Sequence, residues 1–164
     1  MDNANLIVPR LWLGNKVAAL DSDFIRKNNI TVVFNCTKDY PFAPEIPTKY
    51  RVPVDDNLAP QEIANMARWS PEIIYKLVRE YNQGHTILVH CHAGMQRSAA
   101  VVAMFLIAMK KMSGSAAIAY IRTQRPIAFF TGVNFRVAID SFERQFQTAI
   151  SSTHQMRTAK DSVF

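Results

Sequence analysis

The feature that most constrains the fold is a junction. A short apolar run, Thr86 to Val89, passes through His90-Cys91-His92-Ala93-Gly94-Met95-Gln96-Arg97-Ser98 into a stretch, Ser98 to Met112, that is apolar nearly all round. The first run is short enough for a buried strand, and the second has the length and all-round apolarity of a helix packed inside a domain. A strand-to-helix turn aims several backbone N–H groups at one point, and the helix N-terminus adds partial positive charge, so an anion is held there. Cys91 at the first loop position makes that anion a target, because a helix N-terminus and nearby cations lower a thiol pKa and release the nucleophilic thiolate. Arg97 closes the loop, and its planar fork can grip two phosphoryl oxygens where lysine would offer a point charge. The H-C-x5-R-S run therefore reads as a phosphate site with its own nucleophile.

The rest of the chain is compatible with one compact domain. Its 164 residues, 49% hydrophobic, can fill a sizeable core around a central sheet. The domain is expected over residues 1–150, with 151–164 as a mobile tail. No internal repeat, low-complexity block or apolar stretch of membrane-spanning length occurs, and Met1 to Asn5 is polar. These features point to a soluble protein with no membrane span. Two cysteines, Cys36 and Cys91, cannot build a disulfide framework, and a nucleophilic thiol survives best in a reducing compartment, so a cytoplasmic location is expected, with the nucleus also open. Net charge is +6, and no acidic residue stands between Glu80 and Asp140, a segment that holds Arg97, Lys110, Lys111, Arg122, Arg125 and Arg136. That distribution suggests a cationic funnel for phosphorylated substrates.

Asn5 to Gly14 reads as two short strands around Pro9-Arg10, and Asp21 as the cap of a helix through Asn28. Ile30 to Asn35 is β-branched and short enough for a buried strand; Tyr50 to Val54 resumes a strand after a proline-rich loop. Pro60 opens a helical pattern to about Gln83, with a break expected near Ser70-Pro71. Ser113 or Ser115 can cap a helix to about Gln124, Arg125-Pro126 breaks it, and Thr131 is the expected cap of a last helix to about Ile150. Strands alternating with helices imply an α/β fold: a mainly parallel central sheet of about five strands flanked by helices.

Several spaced segments resemble the cysteine-dependent protein phosphatases, specifically the dual-specificity branch. They are Leu11-Trp12-Leu13-Gly14-Asn15 with Ala19 and Asp21, the strand Ile30 to Asn35, Val52-Pro53-Val54-Asp55-Asp56-Asn57, the H-C-x5-R-S loop, and Arg125-Pro126 with Phe135 and Phe142-Glu143. Two departures stand out: Gln96 where many relatives carry Ser or Gly, and Phe129-Phe130-Thr131-Gly132 in place of a Pro-Asn turn.

The resemblance implies hydrolysis of phosphotyrosine and phosphoserine or phosphothreonine monoesters through a phosphocysteine, on phosphorylated protein substrates, with no cofactor and no metal. It makes Cys91 the nucleophile and Arg97 the phosphate clamp, with His92, Ala93, Gly94, Met95 and Gln96 as further loop positions around the substrate. Asp56 is the expected proton donor, with Asp55 as the alternative, acting as acid and then as base. Ser98 would ease thiolate departure. His90 either orients the loop or is a satisfied core histidine. Cys36 lies near where some relatives, such as the phosphatases of regenerating liver, place a second cysteine able to bond the nucleophile; otherwise it is a small buried hydrophobe. Nucleic acid enters only as an alternative substrate, an RNA 5′-triphosphate. A phosphoinositide substrate and a non-catalytic phosphate-binding module stay open beside it. Ser162-Val163-Phe164 fits a C-terminal PDZ-ligand pattern.

Overall fold

The computed structural model describes residues 2–163, with side chains described through residue 152. Strands β1 (Ala4–Val8) and β2 (Leu11–Gly14) form a hairpin turned at Pro9-Arg10, where Arg10 adopts φ 69°. They are followed by α1 (Lys16–Ala19), α2 (Ser22–Lys27), β3 (Val32–Asn35), β4 (Thr48–Arg51), α3 (Pro60–Asn82), β5 (Ile87–His90), α4 (Arg97–Lys110), α5 (Gly114–Gln124) and α6 (Arg136–Val163). The five strands form one sheet in the order β1-β2-β5-β3-β4. Only the β1–β2 pair is antiparallel.

β5 lies between β2 and β3, with Ile87 in register with both Leu11 and Val32. Each of its residues is buried, which explains an apolar run without alternation: a central parallel strand is covered on both faces. Ile87 and Val89 face the larger core, which α3, α4 and α6 share; Leu88 faces a smaller one with Ala19, Ile25, Ile30, Val33, Ala43 and Ile46. Strand alternation therefore turns His90 to the same side as Leu88, toward α1 and α2. α4 is buried through ten consecutive residues, Ser98 to Ile107, and so holds the loop before it on a rigid support.

Several local expectations are corrected. β4 occupies Thr48–Arg51 rather than Tyr50 to Val54, because Pro53 has no N–H to give a ladder and Val54 N–H turns back onto Val52 O at 2.9 Å. α3 runs unbroken through Pro71; proline leaves the Ala67 carbonyl without its helical donor, and Ser70 Oγ donates to that oxygen at 2.8 Å. Thr131 is no helix cap: it sits at φ 67° in a turn, and α6 starts at Arg136. α6 extends past Ile150, with no proline or glycine to stop it, and the side chains of Ser162-Val163-Phe164 lie outside the described residues. α1 was not anticipated; Asn15 caps it by accepting from Val17 and Ala18 N–H.

The expected cationic funnel does not form. Arg125 is buried, Arg136 pairs with Asp140 at 2.9 Å, and Lys110 and Lys111 sit at the far end of α4, about 20 Å along the helix from Arg97. Among the described residues no single helix is long and apolar enough to cross a membrane.

Candidate active site

The loop from Cys91 to Gln96 joins the central strand to α4, as the sequence pattern required. Cys91 is 3% exposed, and its Sγ lies 3.1 Å from Ser98 Oγ. Burial, the largest influence, pushes the thiol up, but the Ser98 hydroxyl, the Ser98 and Gly94 N–H groups and Arg97 together bring it below the ordinary thiol value. A thiolate is thus stabilised by groups of its own loop.

The loop's shape depends on two features. Gly94 has φ 69°, and a Cβ there would lie 2.5 Å from the Gly14 carbonyl oxygen and 2.9 Å from the Arg125 guanidinium, so only glycine fits. Arg125, 1% exposed, donates from Nε to Gly94 O at 2.9 Å and from Nη2 to Ala93 O at 3.1 Å; its Nη1 reaches Asp2 O at 3.0 Å and Asn5 Oδ1 at 2.7 Å. Holding the carbonyls of residues 93 and 94 outward turns the N–H groups of the same two peptide units inward, because C=O and N–H of one peptide point oppositely.

Arg97 opens α4, donates from Nη1 to Val54 O at 3.0 Å, and keeps a buried Nε with no partner among the described residues. A buried guanidinium donor left open is matched by a phosphoryl oxygen. Arg97 lines a cleft of about 330 Å³ together with His92, Thr37, Lys38, Tyr40, Asp55 and Asp56. His92 is exposed at its edge, with Nδ1 2.6 Å from Tyr40 Oη. Met95 accepts Phe129 N–H at its carbonyl, 2.8 Å away. Gln96 is buried, and its side chain faces away from the cleft into the 130–134 turn, donating to Gly132 O at 2.8 Å and Phe130 O at 3.3 Å and accepting Asn134 N–H at 3.0 Å.

The two acidic candidates have different partners. Asp55 pairs with Lys38 at 3.0 Å, and its N–H donates to Glu62 Oε2 at 3.0 Å. Lys38 also pairs with Glu62 at 2.6 Å; this bond first, and the Asp55 N–H second, hold the Glu62 carboxyl below the usual range. Asp56 is exposed and accepts from Asn134 Nδ2 at 2.8 Å. Asn134 thereby joins Asp56 to Gln96 and so to the phosphate loop.

His90 is 1% exposed, with Nδ1 3.3 Å from Cys91 O and a buried Nε2 that has no partner among the described residues. Burial above all, then Arg51 and Arg97, hold its pKa down at about 4, so the ring is neutral. Cys36 follows Asn35, which is in register with His90, and its N–H donates to His90 O at 2.8 Å. The register sets it beside Cys91, whose charge adds to burial in pushing the Cys36 thiol up. Among the described residues no group of three His, Cys, Asp or Glu side chains could hold a metal.

Lys38, Glu62, Arg125 and Asn134 were missed as site residues. Arg125 reads as a helix breaker, a charge of the basic segment and part of the resembling Arg125-Pro126 segment; its service to residues 93 and 94, over thirty positions earlier, leaves no trace in spacing.

Residues 11–145 match a family profile described as the dual specificity phosphatase catalytic domain. The dual specificity protein phosphatase Mpk3 of Drosophila melanogaster is 30% identical over 145 residues, covering 86% of this chain and 34% of the relative. Dual specificity protein phosphatase 4 of Rattus norvegicus is 29% identical over 143 residues, covering 87% of this chain and 35% of the relative. The chain thus spans about a third of the length of these relatives. Among solved structures, human DUSP28 superposes with a TM-score of 0.78 at 24% identity, covering 90% of this chain and 97% of that one.

Proposed function

Because this chain belongs to the dual specificity phosphatase family, we propose that it hydrolyses phosphate monoesters of protein tyrosine and serine or threonine side chains through a phosphocysteine. The observation that carries the reading is the buried Cys91 thiolate site, 3.1 Å from Ser98 Oγ, beside a guanidinium whose buried Nε has no partner among the described residues. In the first step Cys91 Sγ forms a bond to phosphorus, the ester P–O bond breaks, and Asp56 gives the departing oxygen a proton. In the second, water attacks phosphorus, Asp56 takes a proton from it, and the Cys91 sulfur leaves as thiolate with the Ser98 hydroxyl donating to it. Arg97 and the loop N–H groups hold the charge that builds on the equatorial oxygens.

Asp56 is the acid rather than Asp55, since the Asp55 carboxylate is engaged by Lys38. Asn134 and Gln96 are positioning residues that tie Asp56 to the loop it must serve. The cleft's charge supports a single-phosphate substrate over a phosphoinositide or a triphosphate. Its basic lining residues are Arg97 and Lys38, and Lys38 is neutralised by two carboxylates.

Cys91→Ser tests the reading on phosphopeptides and a small aryl phosphate, with inositides and 5′-triphosphorylated RNA assayed alongside. Wild type is expected to hydrolyse the first two and Cys91→Ser neither. Equal rates for wild type and Cys91→Ser would leave only phosphate binding.

A further inference from the structure

A second pocket, of about 490 Å³, lies behind the phosphate loop between α1 and the Tyr40-Pro41 turn, and no step of the chemistry uses it. Its walls are largely apolar: Val17, Ala19, Leu20, the Tyr40 ring and Pro41, with Lys16 and Asp21 at the rim. Val17 and Leu20 are about half exposed, 51% and 49%, an open apolar mouth rather than a sealed core.

Its floor includes His90, and this is what gives the pocket chemical character. Strand alternation sends the His90 side chain to this side of the sheet, where Leu88 packs with Ala19. The ring is neutral and Nδ1 faces the Cys91 carbonyl, so Nδ1 carries the proton and Nε2 presents a lone pair. Among the described residues no donor reaches that buried Nε2. A buried acceptor without a donor is costly, and an O–H or N–H brought by a ligand relieves it.

The pocket shares a wall with the phosphate cleft. Tyr40 lines both, and α1 is tied to the phosphate loop by Lys16 N–H donating to His92 O at 3.1 Å. That shared wall suits a group of the same molecule whose phosphate is at Cys91. We propose that this pocket is a substrate subsite that takes the side chain of a tyrosine or tryptophan flanking the phosphorylated residue, donating its O–H or N–H to His90 Nε2. The apolar walls suit the ring, and the single orphaned acceptor suits its single polar atom. This deepens the phosphatase reading and rests on it.

The test uses phosphopeptides alike except for Tyr, Trp, Phe or Ala at each position from two before to two after the phosphorylated residue. At one flanking position, Tyr and Trp are expected to exceed Ala in kcat/KM by about tenfold, expressed in KM, with Phe between. Leu20→Asp, or Val17→Asp should the first not fold, is expected to level that series. With ring-labelled histidine in the Cys91→Ser protein, the His90 Nε2 nitrogen resonance is expected to shift on adding the Tyr peptide and not the Phe peptide. Turnover of a small aryl phosphate separates the two ideas: with that activity present, a flat peptide series or an unmoved His90 resonance overturns the subsite alone. With no activity on any phosphate ester, the phosphatase reading falls first.

Discussion

The Cys91–Arg97 loop and the Asp55-Asp56 loop line one cleft, yet they are anchored by unlike means. Arg125, 1% exposed, fastens the first through two backbone carbonyls, and Gly94 lies so close to Gly14 that no side chain fits between them. The second has Glu62 and Arg97 on the backbone of Asp55 and Val54, and is otherwise held by side chains nearer the surface: Lys38 and Asp55, 44% and 46% exposed, and the bond from Asn134 to Asp56. Buried hydrogen bonds escape competition from water and salt, whereas half-exposed ion pairs do not. The loop that carries the Cys91 thiol is therefore preorganised, and the loop proposed to hand over a proton is held in part by bonds that can give.

The sharpest way to divide the two is Asp56→Asn, which keeps the Asn134 contact but removes the proton. Turnover of an aryl phosphate with a poor leaving group is expected to fall about 10²–10⁴-fold in kcat while thermal stability stays unchanged. Arg125→Ala should instead damage the fold. It strips the Ala93 and Gly94 carbonyls of their donor, and chemical denaturation is expected to show a loss of about 3 kcal/mol or more. A stability equal to wild type would mean that the buried anchor is ornamental and the comparison false.

Acid should attack the buried side in its own way. His90 titrates at about 4 when folded and about 6.5 when unfolded, so between those values the unfolded chain binds the proton that the folded one refuses. Stability is therefore expected to fall as pH drops from about 6.5 to about 4, by up to about 3 kcal/mol, and His90→Gln is expected to flatten that part of the profile. The smallest effect belongs to the exposed side. Asn134→Ala should lower kcat by about tenfold with KM little changed, because it frees Asp56 without touching the phosphate. Pre-steady-state release of the leaving group checks this, and an effect confined to KM would show Asn134 to be a binding residue instead.

Some of this arrangement was legible in the chain. The strand Thr86 to His90, the turn at Gly94 and the helix beginning near Ser98 are consecutive, so periodicity and turn chemistry locate the phosphate loop and its Cys91–Ser98 pair within a few residues. The helix cap at Asp21 and the stop at Arg125-Pro126 were local in the same sense. The failures were also physical. Pro71 looked like a break because the rescue of the Ala67 carbonyl by Ser70 is a three-dimensional detail. The basic residues between Glu80 and Asp140 looked like one surface because sequence does not show that helix α4 carries Lys110 and Lys111 away while Arg125 turns inside.

By itself the sequence determined the strand-loop-helix unit that carries Cys91 and Arg97 and most of the order of strands and helices, since these follow from neighbours along the chain and the preferences of each short segment. Only the tertiary structure decided that Lys38 meets Asp55 while Asn134 meets Asp56, what holds the loop's carbonyls, and that His90 is buried with Nδ1 against the Cys91 carbonyl. Asp56 meets Asn134 across 78 positions and Arg125 meets Asn5 across 120. Contacts of that span depend on how the layers pack, and a chain's local preferences carry no record of them.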